Sequence, residues 1–157
     1  MRTIGIPFCV AVALAGCGKR EQASVLSPIV EQWQKGEKAG AISRFVDSDW
    51  TARPLFASGT VMSLNEDQFQ KLPVTEVSAK MKEVLPEITT LRQIAQGVME
   101  AGKEAAKQGD KAKARKHFTA VKQCGEALDS PETLKLVQLV GQAIGKMADA
   151  ELAKVKP

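Results

Sequence analysis

Gly109-Asp110-Lys111-Ala112-Lys113-Ala114-Arg115-Lys116-His117-Phe118 decides the fold, because Gly36-Glu37-Lys38-Ala39-Gly40-Ala41-Ile42-Ser43-Arg44-Phe45 repeats it without a gap. The glycine, the acid, the lysine, two alanines and the final aromatic residue correspond. Each segment spells the turn of a tight antiparallel helix pair. The glycine lets a helix stop in a left-handed conformation. The acid favours the N-terminus of the next helix. The second alanine lets two helices approach closely, and the aromatic residue one turn later fills the space behind it.

Working outward, helical periodicity dominates. Ser27-Pro28 starts a helix as an N-cap followed by proline in the first turn, with Ile29, Val30 and Trp33 as its apolar residues and Gly36 as its end. Ala41, Ile42, Phe45 and Val46 continue at helical spacing. A long helix, capped by Thr75 and closed by Gly109-Asp110, carries Val77, Met81, Ile88, Leu91, Val98 and Ala105 on one face. Pro86 inside it predicts a kink or a break. The next helix runs from Lys111 to about Leu128, with Ala114, Phe118 and Val121 on its inner face and His117 turned toward solvent. Ser130-Pro131-Glu132 restarts the chain. The last helix is apolar over a wide arc, which predicts burial between neighbours.

Asp47 to Ser63 fits neither a helical nor a strand period. Its Trp50, Leu55 and Phe56 predict a long ordered loop that buries its own bulky residues, with a short strand near Thr60–Met62. Ser63-Leu64-Asn65-Glu66 matches a capping box and starts a short helix. The expected fold is all-α: an irregular helical bundle with two antiparallel hairpins and one long loop.

The repeated turn resembles that of tetratricopeptide repeats. Gly102, seven residues before Gly109, matches the first-helix glycine of that family, and Val140-Gly141 with Ile144 resembles the opening of a following repeat. Departures are Val98 and Ala105 where the family prefers bulky aromatic residues, Glu126 where it favours proline, and Ile29 in place of the first glycine. The resemblance implies stacked helical hairpins that act by binding.

At the N-terminus, Arg2 precedes the apolar run Ile4–Leu14, and Leu14-Ala15-Gly16-Cys17 follows. That run is shorter than the roughly 20 residues a spanning helix needs. The pattern is that of a secretory signal, and its last four residues resemble the processing box of bacterial lipoproteins. The resemblance implies cleavage of residues 1–16, acylation of Cys17 and a short tether over residues 17–24, leaving residues 25–157 as a single helical domain. Gly18, in place of the aspartate that retains such proteins in the inner membrane, implies the outer membrane, facing the periplasm. The membrane is then one partner, through the lipid, and another envelope protein is the other.

Cysteine and charge narrow the chemistry. With Cys9 lost in the signal and Cys17 lipidated, Cys124 stands alone, so no internal disulfide forms and Cys124 reads as a packing residue. One histidine and no Cys/His cluster argue against zinc. Asp47 and Asp49 beside Trp50 are too few oxygen ligands for calcium. His117 is a general base only if a nucleophile or carboxylate lies in reach. No catalytic set can be named, so the chain reads as a non-enzyme without a cofactor.

The formal charge of +4 is a mild excess and does not imply nucleic acid. Two candidate surfaces remain. Lys103, Lys107, Lys111, Lys113, Arg115 and Lys116 crowd one region as a face for an anionic partner. Trp33, Trp50 and Phe56 are candidates for lining a pocket. A binding module fits these features, and the alternative is a structural lipoprotein holding anionic cell-wall polymer or lipid on its basic face.

Overall fold

The computed structural model describes residues 24–155. Within them are six α-helices: α1 (Ser27–Gln34), α2 (Lys38–Val46), α3 (Glu66–Gln70), α4 (Val74–Lys107), α5 (Lys111–Leu128) and α6 (Lys135–Lys154). A single 3-10 turn at Val61–Ser63 lies between α2 and α3, where a short strand was expected. No strand occurs among the described residues, and the fold is all-α. None of the described helices is long and apolar enough to cross a membrane.

The two echoing segments form the same turn. Gly36 and Gly109 both have φ of 82°. The Gly109 amide donates to the Ala106 carbonyl (3.1 Å) and the Asp110 amide to that of Ala105 (2.9 Å). In the earlier copy Gly36 donates to Trp33 (3.1 Å) and Glu37 to Gln32 (3.0 Å). Both are the paired bonds that close a helix around a left-handed residue. Asp110 then accepts from the Lys113 amide and caps α5, while Glu37 makes no such cap. Ala41 and Ala114 are fully buried, as are Phe45 and Phe118. Both aromatic residues therefore fill the space behind their alanine.

The hairpins α1–α2 and α4–α5 stack, and α6 follows. Helix α2 packs on α4 and α5 as well as on α1, while α6 packs on α5 and α4. Four glycines, Gly97, Gly102, Gly125 and Gly141, set the closest approaches. A Cβ on Gly102 would lie 2.5 Å from the Phe118 ring, and one on Gly125 would lie 2.7 Å from the Gly141 carbonyl oxygen. Helices α5 and α6 thus meet backbone to backbone.

Several local expectations are corrected. Helix α4 runs unbroken through Pro86. The proline sits on an exposed stretch of the helix, where water can satisfy the carbonyl that loses its partner. Its N-cap is Pro73, not Thr75. The capping box of α3 is built by Asn65 and Gln68, two residues beyond the expected pair, because Leu64 is still extended. Helix α1 starts with Leu26 at the N-cap, and Ser24 rather than Ser27 accepts an amide bond there (3.0 Å). Ser24 is buried, so the folded domain takes in a residue assigned to the tether.

Residues 130–133 form a turn rather than a helix start, and α6 begins at Lys135. Its first amide is met from a distance: Glu66 of α3 accepts from the Lys135 N–H (3.0 Å). The loop after α2 does bury its own residues. Trp50 and Leu55 join the core, and the chain at 54–55 accepts from the Val25 and Leu26 amides (3.1 Å each).

Candidate functional site

An apolar concavity lies where α1, the long loop and the middle of α4 meet. Leu26 and Val30 come from the start of the domain, Phe56 and Met62 from the loop, and Leu91 from α4. The cleft has a volume of about 440 Å³, within the usual range for small-ligand pockets. Leu26, Met62 and Leu91 are buried beneath it, and Val30 and Phe56 are half-buried at its walls.

Two carboxylates stand at its rim. Glu31 is paired with Lys35 at 2.6 Å, and that hydrogen-bonded charge holds its pKa below the usual glutamate value. Glu87 has no ion pair or hydrogen bond to another described side chain within contact distance. Although the residue is exposed, partial desolvation of its carboxyl raises its pKa, and repulsion from Glu83 adds to this. An apolar floor with one uncompensated carboxylate suits a ligand that has an apolar body and a cationic or hydrogen-bond-donating group.

The three aromatic candidates do not gather. Only Phe56 lines this cleft. Trp50 is 4% exposed and stacks at a tilt against Phe45, with ring centroids 4.5 Å apart. Trp33 covers Gly97, whose missing side chain makes room for the indole, and Lys38 lies 5.3 Å above its ring. A single pocket of Trp33, Trp50 and Phe56 is therefore corrected to two packing residues and one cleft residue. The reason is that Trp33 and Trp50 lie against different helices, α4 and α2.

The basic candidates are also divided. Lys116 reaches α2 and pairs with Asp47 at 2.7 Å, while Lys103 turns to Glu151 of α6 at 3.9 Å. Lys107 pairs with Glu104 at 3.7 Å. Arg115 donates to the Val155 carbonyl at 2.8 Å. Lys111 and Lys113 have no acidic partner within 4 Å among the described residues. Three of the six basic side chains thus pair with carboxylates, at the end of α2 and on α4 and α6, so the stretch does not present one uniform basic face.

His117 is a correction. It is 8% exposed, with Nδ1 at 2.8 Å from the Lys113 carbonyl and its Cβ close to Gly102. The buried arc of α5 is wider than Ala114, Phe118 and Val121 indicate, because Ala120, Cys124 and Ala127 are also covered. His117 falls within that arc. Cys17 lies outside the described residues. Cys124 is fully buried, and burial pushes its thiol far above the ordinary pKa. Among the described residues no cluster of three or more His, Cys, Asp or Glu is placed to hold a metal.

Glu87 carried no sequence signal. It follows Pro86 on the exposed side of a long helix, and only the return of the loop over α1 gives it a cleft. Comparison with known protein families, curated proteins and solved structures gives no match.

Proposed function

We propose that this chain is a lipid-anchored cell-envelope protein that acts by binding, with the cleft between α1, the loop and α4 as its ligand site. The anchor rests on Leu14-Ala15-Gly16-Cys17 after the basic start and apolar run. Acylated Cys17 holds the protein to the outer membrane, facing the periplasm, and Gly18 supports that side. Acyl chains contribute about 0.8 kcal/mol per buried methylene, so several chains hold the protein durably.

The stacking of α1–α2, α4–α5 and α6, with matched glycine turns, supports a tetratricopeptide-like arrangement, a scaffold of binding surfaces. The observation that carries the binding reading is Glu87, an uncompensated carboxylate on an apolar cleft. The structural alternative, a basic face for cell-wall polymer or lipid, draws less support, because Lys103, Lys107, Arg115 and Lys116 already have partners within the fold.

Two measurements test the proposal. Cys17→Ser should abolish fatty-acid labelling and membrane fractionation; a variant that still labels and fractionates rejects the anchor. Affinity capture from membranes should recover a bound molecule that Glu87→Arg loses. Glu87 is exposed, so the variant should fold, and an unchanged captured set would reject the cleft.

A further inference from the structure

Helix α6 is apolar on two sides, and the fold covers only one. Val137, Gly141, Ile144 and Ala148 are buried against α5 and α4. Leu139, Ala143, Met147 and Ala150 recur at steps of four and three on the outward side, and all four are exposed. Leu139 is 51% exposed and Met147 43%. The expectation of a helix buried between neighbours is thus met on one face only. In the preceding hairpins a second helix covers the first: α2 lies on α1, and α5 on α4. Among the described residues α6 has no such mate.

The shape and charge of this stripe choose among occupants. From Leu139 to Ala150 it runs about 16 Å at 1.5 Å per residue, and it is about one helix wide, ~10 Å. That is on the order of 160 Å², against roughly 800 Å² per partner in a stable protein pair. The stripe matches one amphipathic helix better than a second globular surface. Ala143 and Ala150 leave gaps beside Leu139 and Met147 for the side chains of such a helix.

One margin is basic. At 100° per residue, Lys135 and Lys146 fall on the Leu139 side of the stripe. Neither ammonium forms an ion pair within 4 Å among the described residues: the Lys135 Nζ donates to Gln138 (3.3 Å), and Glu66 is held by the Lys135 backbone N–H. A second copy docked about a two-fold axis at Ala143 would set both Lys146 side chains on the same margin, about 9 Å apart along the axis. Like charges there oppose self-association, and carboxylates favour docking.

We propose that the outward stripe of α6 docks one amphipathic helix of a partner protein, with acidic residues along its margin facing Lys135 and Lys146. The proposal rests on the reading of the helical domain as a binding module and is independent of the cleft. The probe is a synthetic amphipathic peptide with leucines at helical spacing and glutamates on one margin, compared with the same peptide carrying lysines there. Binding to the full chain carrying Cys17→Ser is followed by fluorescence anisotropy. The glutamate peptide should bind at least about tenfold tighter than the lysine peptide. Leu139→Glu and Met147→Glu should each weaken it about tenfold or more, with unchanged melting midpoints because both sites are exposed. Lys146→Glu should reverse the preference.

Equal binding of the two peptides, or binding of neither, overturns the proposal. So does self-association that Leu139→Glu abolishes, which would make a second copy the occupant. Binding to phosphatidylglycerol vesicles that the same variants lose, with the peptides ignored, would assign the stripe to lipid. Failure here leaves the Glu87→Arg capture experiment standing, so the two readings fail separately.

Discussion

Gly141→Ala should destabilise the protein, although alanine is the better helix former. A Cβ at Gly141 would stand 2.6 Å from the Gly125 carbonyl oxygen, 2.8 Å from the Leu128 Cβ and 2.9 Å from the Asp129 amide nitrogen. None of these is the far end of a flexible side chain, so none can swing away. The two helices must instead part by several tenths of an ångström along their longest contact. Overpacking of this kind costs about 1–3 kcal/mol, and backbone on both sides places this site at the upper end. Alanine returns about 1 kcal/mol of helix propensity. The net expectation is a loss of about 2 kcal/mol. Gly145, one turn further on, is the internal control. A Cβ there meets nothing within 4 Å, so Gly145→Ala should gain about 0.5–1 kcal/mol. Urea unfolding followed by circular dichroism reads both, as midpoints moving in opposite directions with an unchanged slope. A Gly141→Ala variant as stable as Gly145→Ala would refute the backbone contact between α5 and α6.

Three further outcomes follow from the same packing. Phe118→Ala should cost about 3–5 kcal/mol, the range for a buried aromatic truncated to a cavity, and a thermal melt that barely moves would remove Phe118 from the core. Glu66→Ala should cost about 1 kcal/mol at neutral pH through loss of the cap on α6. The Lys135 N–H lowers the Glu66 pKa below its ordinary 4.5, so this contribution is present above that value and is lost as pH falls through the folded-state pKa; a gap between wild type and variant that persists unchanged in acid would contradict the cap. Cys124 should resist maleimide in the native protein and react on unfolding, because burial holds it as a neutral thiol; rapid native labelling would contradict that burial.

Features carried by local chemistry were legible in the sequence. The pair Gly36/Gly109 predicted two left-handed turns, and Ala41/Ala114 with Phe45/Phe118 predicted matched burial, because a helix stop and the residue one turn later are fixed within ten positions. Features that depend on distant partners were not. Glu66 reads as the acid of a capping box at the start of a short helix, yet its structural weight comes from the Lys135 amide. Pro86 reads as a kink or a break, and the break does not occur: an exposed proline in a helix held by packing on either side does not interrupt it. Periodicity located the centre of α5's buried face and missed its width. That width depends on how α2 and the loop return over the helix, and so His117 was turned the wrong way.

The same distinction separates the two surfaces on which function is proposed. Glu87 became a site only through tertiary placement: Leu26, Phe56 and Met62 come from segments with no shared pattern, and no spacing rule joins them to an acid after a proline. The outward stripe of α6 was present in the sequence as excess apolarity, but a wide apolar arc reads equally well as a helix buried on all sides. Deciding between those needs a count of neighbours, which periodicity does not contain. Helix α6 packs on α5 and α4, while Leu139, Ala143, Met147 and Ala150 stay exposed on its outward side. Exposed apolar side chains that are scattered singly need no explanation. Leu139, Ala143, Met147 and Ala150 are not scattered: they hold one helical register over three turns, beside two lysines whose ammonium groups form no ion pair among the described residues. A register of that kind is the complement of another helix rather than of a small molecule.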